Sequence, residues 1–114
     1  MEFKNIDLNL FEDIINKKNE PVLGIFFGTW CNFCQINIPE IITYFAEIKA
    51  NYDVYMIHVE ESDNVWLEDN NQKWKLIKVP TFRVYDNKKI IAFHEGPIKP
   101  KKLETMIKTY LIKK

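Results

Sequence analysis

The sequence carries no excess of charge. Sixteen basic residues face sixteen acidic ones, and the formal net charge is zero at pH 7. A charge-driven grip on nucleic acid or an anionic membrane is therefore not expected. Long hydrophobic runs are missing too. The longest, Val22 to Phe27, falls far short of the ~20 apolar residues that span a bilayer. The N-terminus, Met1-Glu2-Phe3-Lys4-Asn5-Ile6-Asp7, has no apolar stretch behind a basic start, so no secretory leader is expected and a cytoplasmic location is. Arginine is nearly absent. Arg83 stands alone in a chain rich in Lys, Asn and Ile, a composition that says nothing certain of function. The sequence shows no internal repeat, low-complexity tract or flexible linker. With 114 residues, 46% of them hydrophobic and 14% aromatic, residues 1–114 are expected to form one globular, monomeric domain. Lys99, Lys101, Lys102, Lys108, Lys113 and Lys114 read as a solvated face and a cation-rich helix end.

Cysteine is the scarcity that matters. There are two, Cys31 and Cys34, in a C-x-x-C. Two cysteines three positions apart staple nothing distant, so the chain is not a disulfide scaffold. A zinc site would need two more ligands, and His58, His94 and carboxylates are what remain. Both histidines fall in expected strands without ligand spacing, so no metal is expected.

The pattern along the chain predicts an α/β fold. Residues 8–18 place Leu8, Phe11, Ile14 and Ile15 on one helical face. Residues 22–28 read as a strand buried on both sides. A second helix starts at Asn32, with Cys34, Ile38, Ile41, Ile42, Phe45 and Ile48 at helical spacing and Pro39 inside it as a kink. Residues 54–59 predict another strand. Residues 61–78 predict loops and a short helix, with Val65, Trp66, Leu67, Trp74, Leu76 and Ile77 as buried points, the two tryptophans as satellite core. Residues 81–85 and 89–94 predict a β-hairpin without the Asn-Gly that favours a tight turn. Residues 100–112 predict a last helix, with Leu103, Met106, Ile107, Tyr110 and Leu111 on one face. The acidic run Glu60-Glu61-Ser62-Asp63 reads as a solvated loop.

The C-x-x-C thus falls at the turn between a buried strand and its helix. A helix start leaves backbone N–H groups unpaired and carries about half a positive charge, which favours a thiolate there. Cys34 lies one turn deeper, close enough for a disulfide with Cys31. The pair can cycle, Cys31 as nucleophile and Cys34 as resolving thiol. Trp30, beside a reactive thiol on an exposed turn, reads as a contact surface.

Trp30-Cys31-Asn32-Phe33-Cys34 after the Val22–Thr29 strand resembles the active-site region of the thioredoxin family. Pro39, the Val79-Pro80-Thr81-Phe82 segment and Gly96 match the family's kinking proline, cis-proline segment and site glycine in order and rough spacing. The resemblance spans residues 8 to 112. It implies a thioredoxin-like fold, a mixed sheet of four to five strands (the fifth near residues 3 to 6) flanked by about four helices. It also implies a cis Pro80 against the two cysteines, a substrate groove at Trp30, the Val79 backbone and Gly96, and protein disulfides as substrates. An upstream reductase would supply electrons, with no cofactor beyond the Cys31–Cys34 disulfide. Two departures stand out. Asn32-Phe33 replaces the common Gly-Pro, and Ile25 occupies the place of a buried aspartate. His58 is the expected counterpart of the family's partner lysine. Reduction of protein disulfides is the leading expectation. Disulfide oxidation or isomerisation, or redox-gated binding without turnover, are the rivals.

Overall fold

The computed structural model describes residues 2–48 and 52–111. The chain runs β1 (Glu2–Ile6), α1 (Leu8–Lys17), β2 (Val22–Phe27), α2 (Asn32–Glu47), β3 (Asp53–His58), β4 (Thr81–Asp86), β5 (Lys89–Glu95) and α3 (Pro100–Tyr110). A single 3-10 turn, Leu67–Asp69, stands between β3 and β4 as the fourth helical element. The expected strand at the N-terminus is β1. The Lys113-Lys114 end of the basic cluster and the last residue of the expected final helix lie outside the described residues.

The five strands form one sheet in the order β1-β3-β2-β4-β5. β1 and β2 flank β3 in parallel, while β4 runs antiparallel to β2 and β5 antiparallel to β4. This topology decides where chemistry can occur. The ends of β2 and β3, the start of β4 and the end of β5 all meet one edge of the sheet, because Phe27 pairs with His58, Phe26 with Thr81, and Thr81 with Glu95. Residues 28–31, 59–61, 79–80 and 96–98 are thereby brought together.

Alternation along the strands sends two apolar sets to opposite faces. Leu23 and Ile25 of β2, Val54 and Met56 of β3, and Phe82 and Val84 of β4 meet Ile41 and Phe45 of α2 and Leu103 and Ile107 of α3. On the other face Val22, Phe26, Tyr55, Ile57 and Tyr85 meet Phe11 and Ile15 of α1. Trp74 lies in the centre of this second set, with its ring 5.8 Å from Phe26 and 6.2 Å from Phe11. Trp66 belongs to the same cluster, so neither tryptophan is satellite core. Burial of each large ring contributes about 2 kcal/mol. Leu67 and Ile77, expected inside, are exposed. The 60–78 segment folds on a narrow bridge between Trp66 and Leu76, and these two flank it on the solvent side.

Local chemistry sets the element ends. The Asp7 side chain accepts the Leu10 N–H at 2.7 Å and caps α1. Pro100 begins α3, where a missing N–H costs nothing. In α2 the buried stripe is Cys34, Asn37, Ile41 and Phe45. Ile42 and Ile48 fall off that stripe and are exposed, contrary to expectation. Asn37 replaces them inside. Its amide donates to the Ile98 carbonyl at 2.8 Å and accepts the Ile98 N–H at 2.9 Å, which ties α2 to the segment after β5. Arg83 is also buried. It donates to the Trp74 and Lys75 carbonyls and the Tyr85 hydroxyl, and its guanidinium lies 5.4 Å from the Phe26 ring centre. These acceptors offset the cost of burying its charge.

The β4–β5 hairpin turns through Asn87 and Lys88, both in the left-handed region at φ 52° and 66°. Two residues of positive φ make the tight turn that Asn-Gly favours. A lysine pays for that backbone shape with its Cβ. Lys88→Gly is therefore expected to raise stability by about 0.5–1 kcal/mol, the relief of strain less the entropy glycine adds to the unfolded chain. Urea denaturation checks it, and a lower midpoint would contradict the turn's reading.

Candidate active site

Cys31 is the N-cap residue of α2. Its sulfur accepts the Cys34 N–H at 3.3 Å, one of the orphan donors of the helix start. Its thiol donates to the Val79 carbonyl at 3.4 Å. The Cys31 sulfur is therefore fixed between the head of α2 and the segment before β4. Cys34 lies one turn deeper and is 3% exposed. Both are free thiols. Burial, and then the hydrogen bond with Cys31, push the Cys34 thiol up to about 12 against a weaker opposing pull from the Gly28 backbone.

The Val79–Pro80 peptide is cis. Pro80 is buried, and its carbonyl accepts the Gly96 N–H at 2.8 Å. Gly96 takes φ 92°, a conformation side chains rarely adopt, so glycine is needed to make this bond. Trp30 lies over Gly28: a Cβ there would stand 2.5 Å from the indole. The indole N–H donates to the Val59 carbonyl at 3.0 Å. Trp66 meets Trp30 edge-on at 6.1 Å and donates its own N–H to the Glu60 carbonyl at 3.3 Å.

Trp30, Cys31, Phe33 and Val79 line one groove of ≈ 420 Å³. Sequence reasoning missed the opposite wall, made by Glu61, Trp66, Glu68 and Ile77. The signal was present, since apolar residues at 66 and 77 flank an acidic loop, but nothing local showed that the loop folds back over the thiol. Asn32 is exposed on the first turn of α2. Pro39 is exposed on the other side of Cys34, where Phe27, Thr29, Gln35 and Ile38 border a shallow, apolar depression. Gly96 stands behind the Val79–Pro80 segment rather than in the groove.

His58 is not where the resemblance put it. Ile25 pairs in register with Met56, and His58 pairs with Phe27 at the strand end. The strand is offset by two residues from the expected alignment. His58 is exposed, with its Nε2 3.4 Å from both the Thr29 hydroxyl and a Glu60 carboxylate oxygen. Ile25 and Met56 are both buried, so the paired positions of β2 and β3 where the resemblance expects a charged pair are apolar. Among the described residues no three His, Cys, Asp or Glu side chains come together to hold a metal ion. No helix there is long and apolar enough to cross a membrane.

A dithiol at the head of the helix that follows a central strand, facing a cis-proline segment across the sheet edge, defines the thioredoxin-fold class. The Thioredoxin family model matches residues 2–109. Thioredoxin AMT13 of Alternaria alternata is 30% identical over 89% of this chain and 80% of its own. Thioredoxin Y1 of Arabidopsis thaliana, a chloroplastic protein, is 26% identical over 90% of this chain and 57% of its own. The crystal structure of Chlamydomonas reinhardtii thioredoxin f2 superposes with a TM-score of 0.69, at 21% identity and 95% coverage of both chains. The chain belongs to the thioredoxin family. It spans 57–63% of the length of the chloroplastic relatives it matches.

The raised Cys34 thiol has a measurable consequence. Its thiolate is scarce at pH 8 in the folded protein and plentiful once the chain unfolds, where a free thiol titrates near ~8.5. Iodoacetamide at pH 8 is expected to modify Cys34 at least ~100-fold faster in urea than in buffer, read by peptide mass. The same difference makes native stability fall as pH rises from about 8.5 toward 12, because the unfolded chain gives up that proton first. Equal alkylation rates in the two states would contradict the burial.

Proposed function

We propose that this protein is a thiol–disulfide oxidoreductase that works as a reductant of protein disulfides. The observation that carries the reading is Cys31 capping α2 under the Val79 carbonyl, with Cys34 buried behind it. In the proposed cycle the Cys31 thiolate attacks one sulfur of a substrate disulfide. That S–S bond breaks, one substrate thiolate leaves and takes up a proton, and Cys31 is left in a mixed disulfide. Cys34 then gives up its proton and attacks the Cys31 sulfur. The mixed disulfide breaks, the Cys31–Cys34 bond forms, and the second substrate sulfur leaves as a thiol. Two electrons and two protons pass to the substrate.

The thioredoxin relatives support the reducing direction. In this reading the oxidised protein is regenerated by an upstream dithiol reductase in a reducing compartment such as the cytoplasm. In this reading the protein acts as a monomer without a bound cofactor. Ile25 and Met56 carry no ionisable group, and in this reading the Cys34 proton passes to the departing substrate thiolate.

Three variants test the scheme. Cys31→Ser is expected to abolish reduction of a protein disulfide, and Cys34→Ser to accumulate a mixed disulfide visible by mass. The wild-type potential, equilibrated against glutathione, is expected below about −200 mV; a value above about −150 mV would make the protein an oxidant. Ile25→Asp is expected to cost about 3 kcal/mol, from a carboxyl desolvated among apolar side chains. It is also expected to speed closure of the mixed disulfide at neutral pH by placing a base beneath Cys34. Loss of stability without any change in closure rate would show that position 25 has no path to the thiol.

A further inference from the structure

The groove beside Cys31 has a chemical bias that disulfide exchange alone does not require. Its floor is an indole pair. Both indole N–H groups are already spent on adjacent backbone carbonyls, those of Val59 and Glu60. Trp30 is nonetheless 37% exposed. What it offers an incoming side chain is therefore its apolar, electron-rich ring and no donor. Two carboxylates, Glu61 and Glu68, stand on the same wall. Both are exposed, and neither takes part in any of the ion pairs or side-chain hydrogen bonds of the described residues. Elsewhere on the surface carboxylates do find cations: Glu12 pairs with Lys73, Glu20 with Lys18, and Glu104 with Lys108.

One cation, Lys78, belongs to the groove lining, and its Cδ lies 3.9 Å from the point where a Cβ on Gly96 would stand. The lining thus carries two carboxylates against one ammonium, together with two indoles. An aromatic face next to carboxylates is the chemistry that holds an ammonium or guanidinium group. The same signs repel a phosphate-bearing partner.

We propose that this groove selects protein disulfides flanked by lysine or arginine, with the cationic side chain lying on the Trp30–Trp66 floor and paired with Glu61 and Glu68. The proposal rests on the exchange reading above and adds the class of substrate. Surface charge pairs and a cation–π contact of ordinary strength together give a preference of about 5- to 20-fold in rate.

The test uses three synthetic peptides that share one intrachain disulfide and differ in carrying Lys, Ala or Glu on both sides of it. Fully reduced protein is mixed with each peptide, and its oxidation is followed by tryptophan fluorescence. The Lys peptide is expected to react about 5- to 20-fold faster than the Glu peptide at low ionic strength, with the ratio shrinking toward one near ~0.5 M salt. In E61Q/E68Q the ratio is expected to fall below about 2-fold, and in E61K/E68K to invert. A ratio cancels any change in thiol reactivity or in the folded fraction. A wild-type ratio near one, which an apolar segment as occupant would give, overturns the proposal. So does a ratio that survives E61Q/E68Q. Hydroxyethyl disulfide, small and neutral, separates the two readings. If the wild type is oxidised by neither it nor the peptides, the exchange reading fails. Titration of the same peptides with serine in place of cysteine then reads the selection alone, and equal affinities for the Lys and Glu forms overturn it.

Discussion

The Cys31 sulfur is held by two hydrogen bonds of opposite sense, and the arrangement of the sheet edge follows from them. As acceptor it closes the first turn of α2 through the Cys34 N–H; as donor it reaches across to the Val79 carbonyl. The first bond needs a helix that starts where β2 ends. The second needs the start of β4 at the same edge, which the antiparallel β2–β4 pairing supplies. A cysteine at this cap therefore reports on two connections at once. Loss of the Cys31 proton turns the sulfur from a donor toward Val79 into an acceptor only, and the Val79 carbonyl is then released from that bond.

The face of the sheet under α2 and α3 is apolar where the resemblance expects a charged pair. Ile25 and Met56 stand side by side on β2 and β3, in the layer covered by α2 and α3. The favourable side is packing: the two join a continuous core with Ile41, Phe45 and Phe82. The electrostatic side concerns Cys34, whose own burial disfavours its anion. Only the Gly28 backbone pulls the other way.

Much of this was legible in the residues. The unbroken apolar run of β2 gave a central strand, the spacing of Phe11 and Ile15 gave the buried side of α1, and C-x-x-C after a strand gave the head of α2. What escaped did so for three reasons, and the first is buried polarity. Asn37 and Arg83 are polar residues inside the core, and each is there because backbone groups distant in sequence receive its hydrogen bonds. Periodicity ranks such residues as surface, so Ile42 and Ile48 were expected inside in place of Asn37. Register was the other blind spot. His58 alternates on the same face as Met56, and a two-residue offset keeps the face while changing the depth. The groove wall escaped for a third reason: residues 60–78 are ordered by the Asn71 side chain, which bonds the Asn64 carbonyl and the Lys73 and Trp74 N–H groups, and not by a repeating pattern.

That loop bears on how a site made of connections can be as well defined as one made of strands. Each connection at the sheet edge is tied by a bond to a neighbour. Trp30 is fastened to Val59, Trp66 to Glu60, Gly96 to Pro80, and Asn37 to Ile98. Arg83 extends the network from β4 to the Trp74 and Lys75 carbonyls at the far end of the 60–78 segment. Lys75 sits at φ 50°, a shape that Arg83 helps to hold by taking up its carbonyl. The buried guanidinium, ringed by Phe26 and Tyr85, thus fixes from below the loop whose upper surface carries Trp66, Glu68 and Ile77. A neutral side chain at 83 could fill the same space but could not bind three acceptors. The single arginine of the sequence is, on this argument, the link between the hydrophobic core and the shape of the groove.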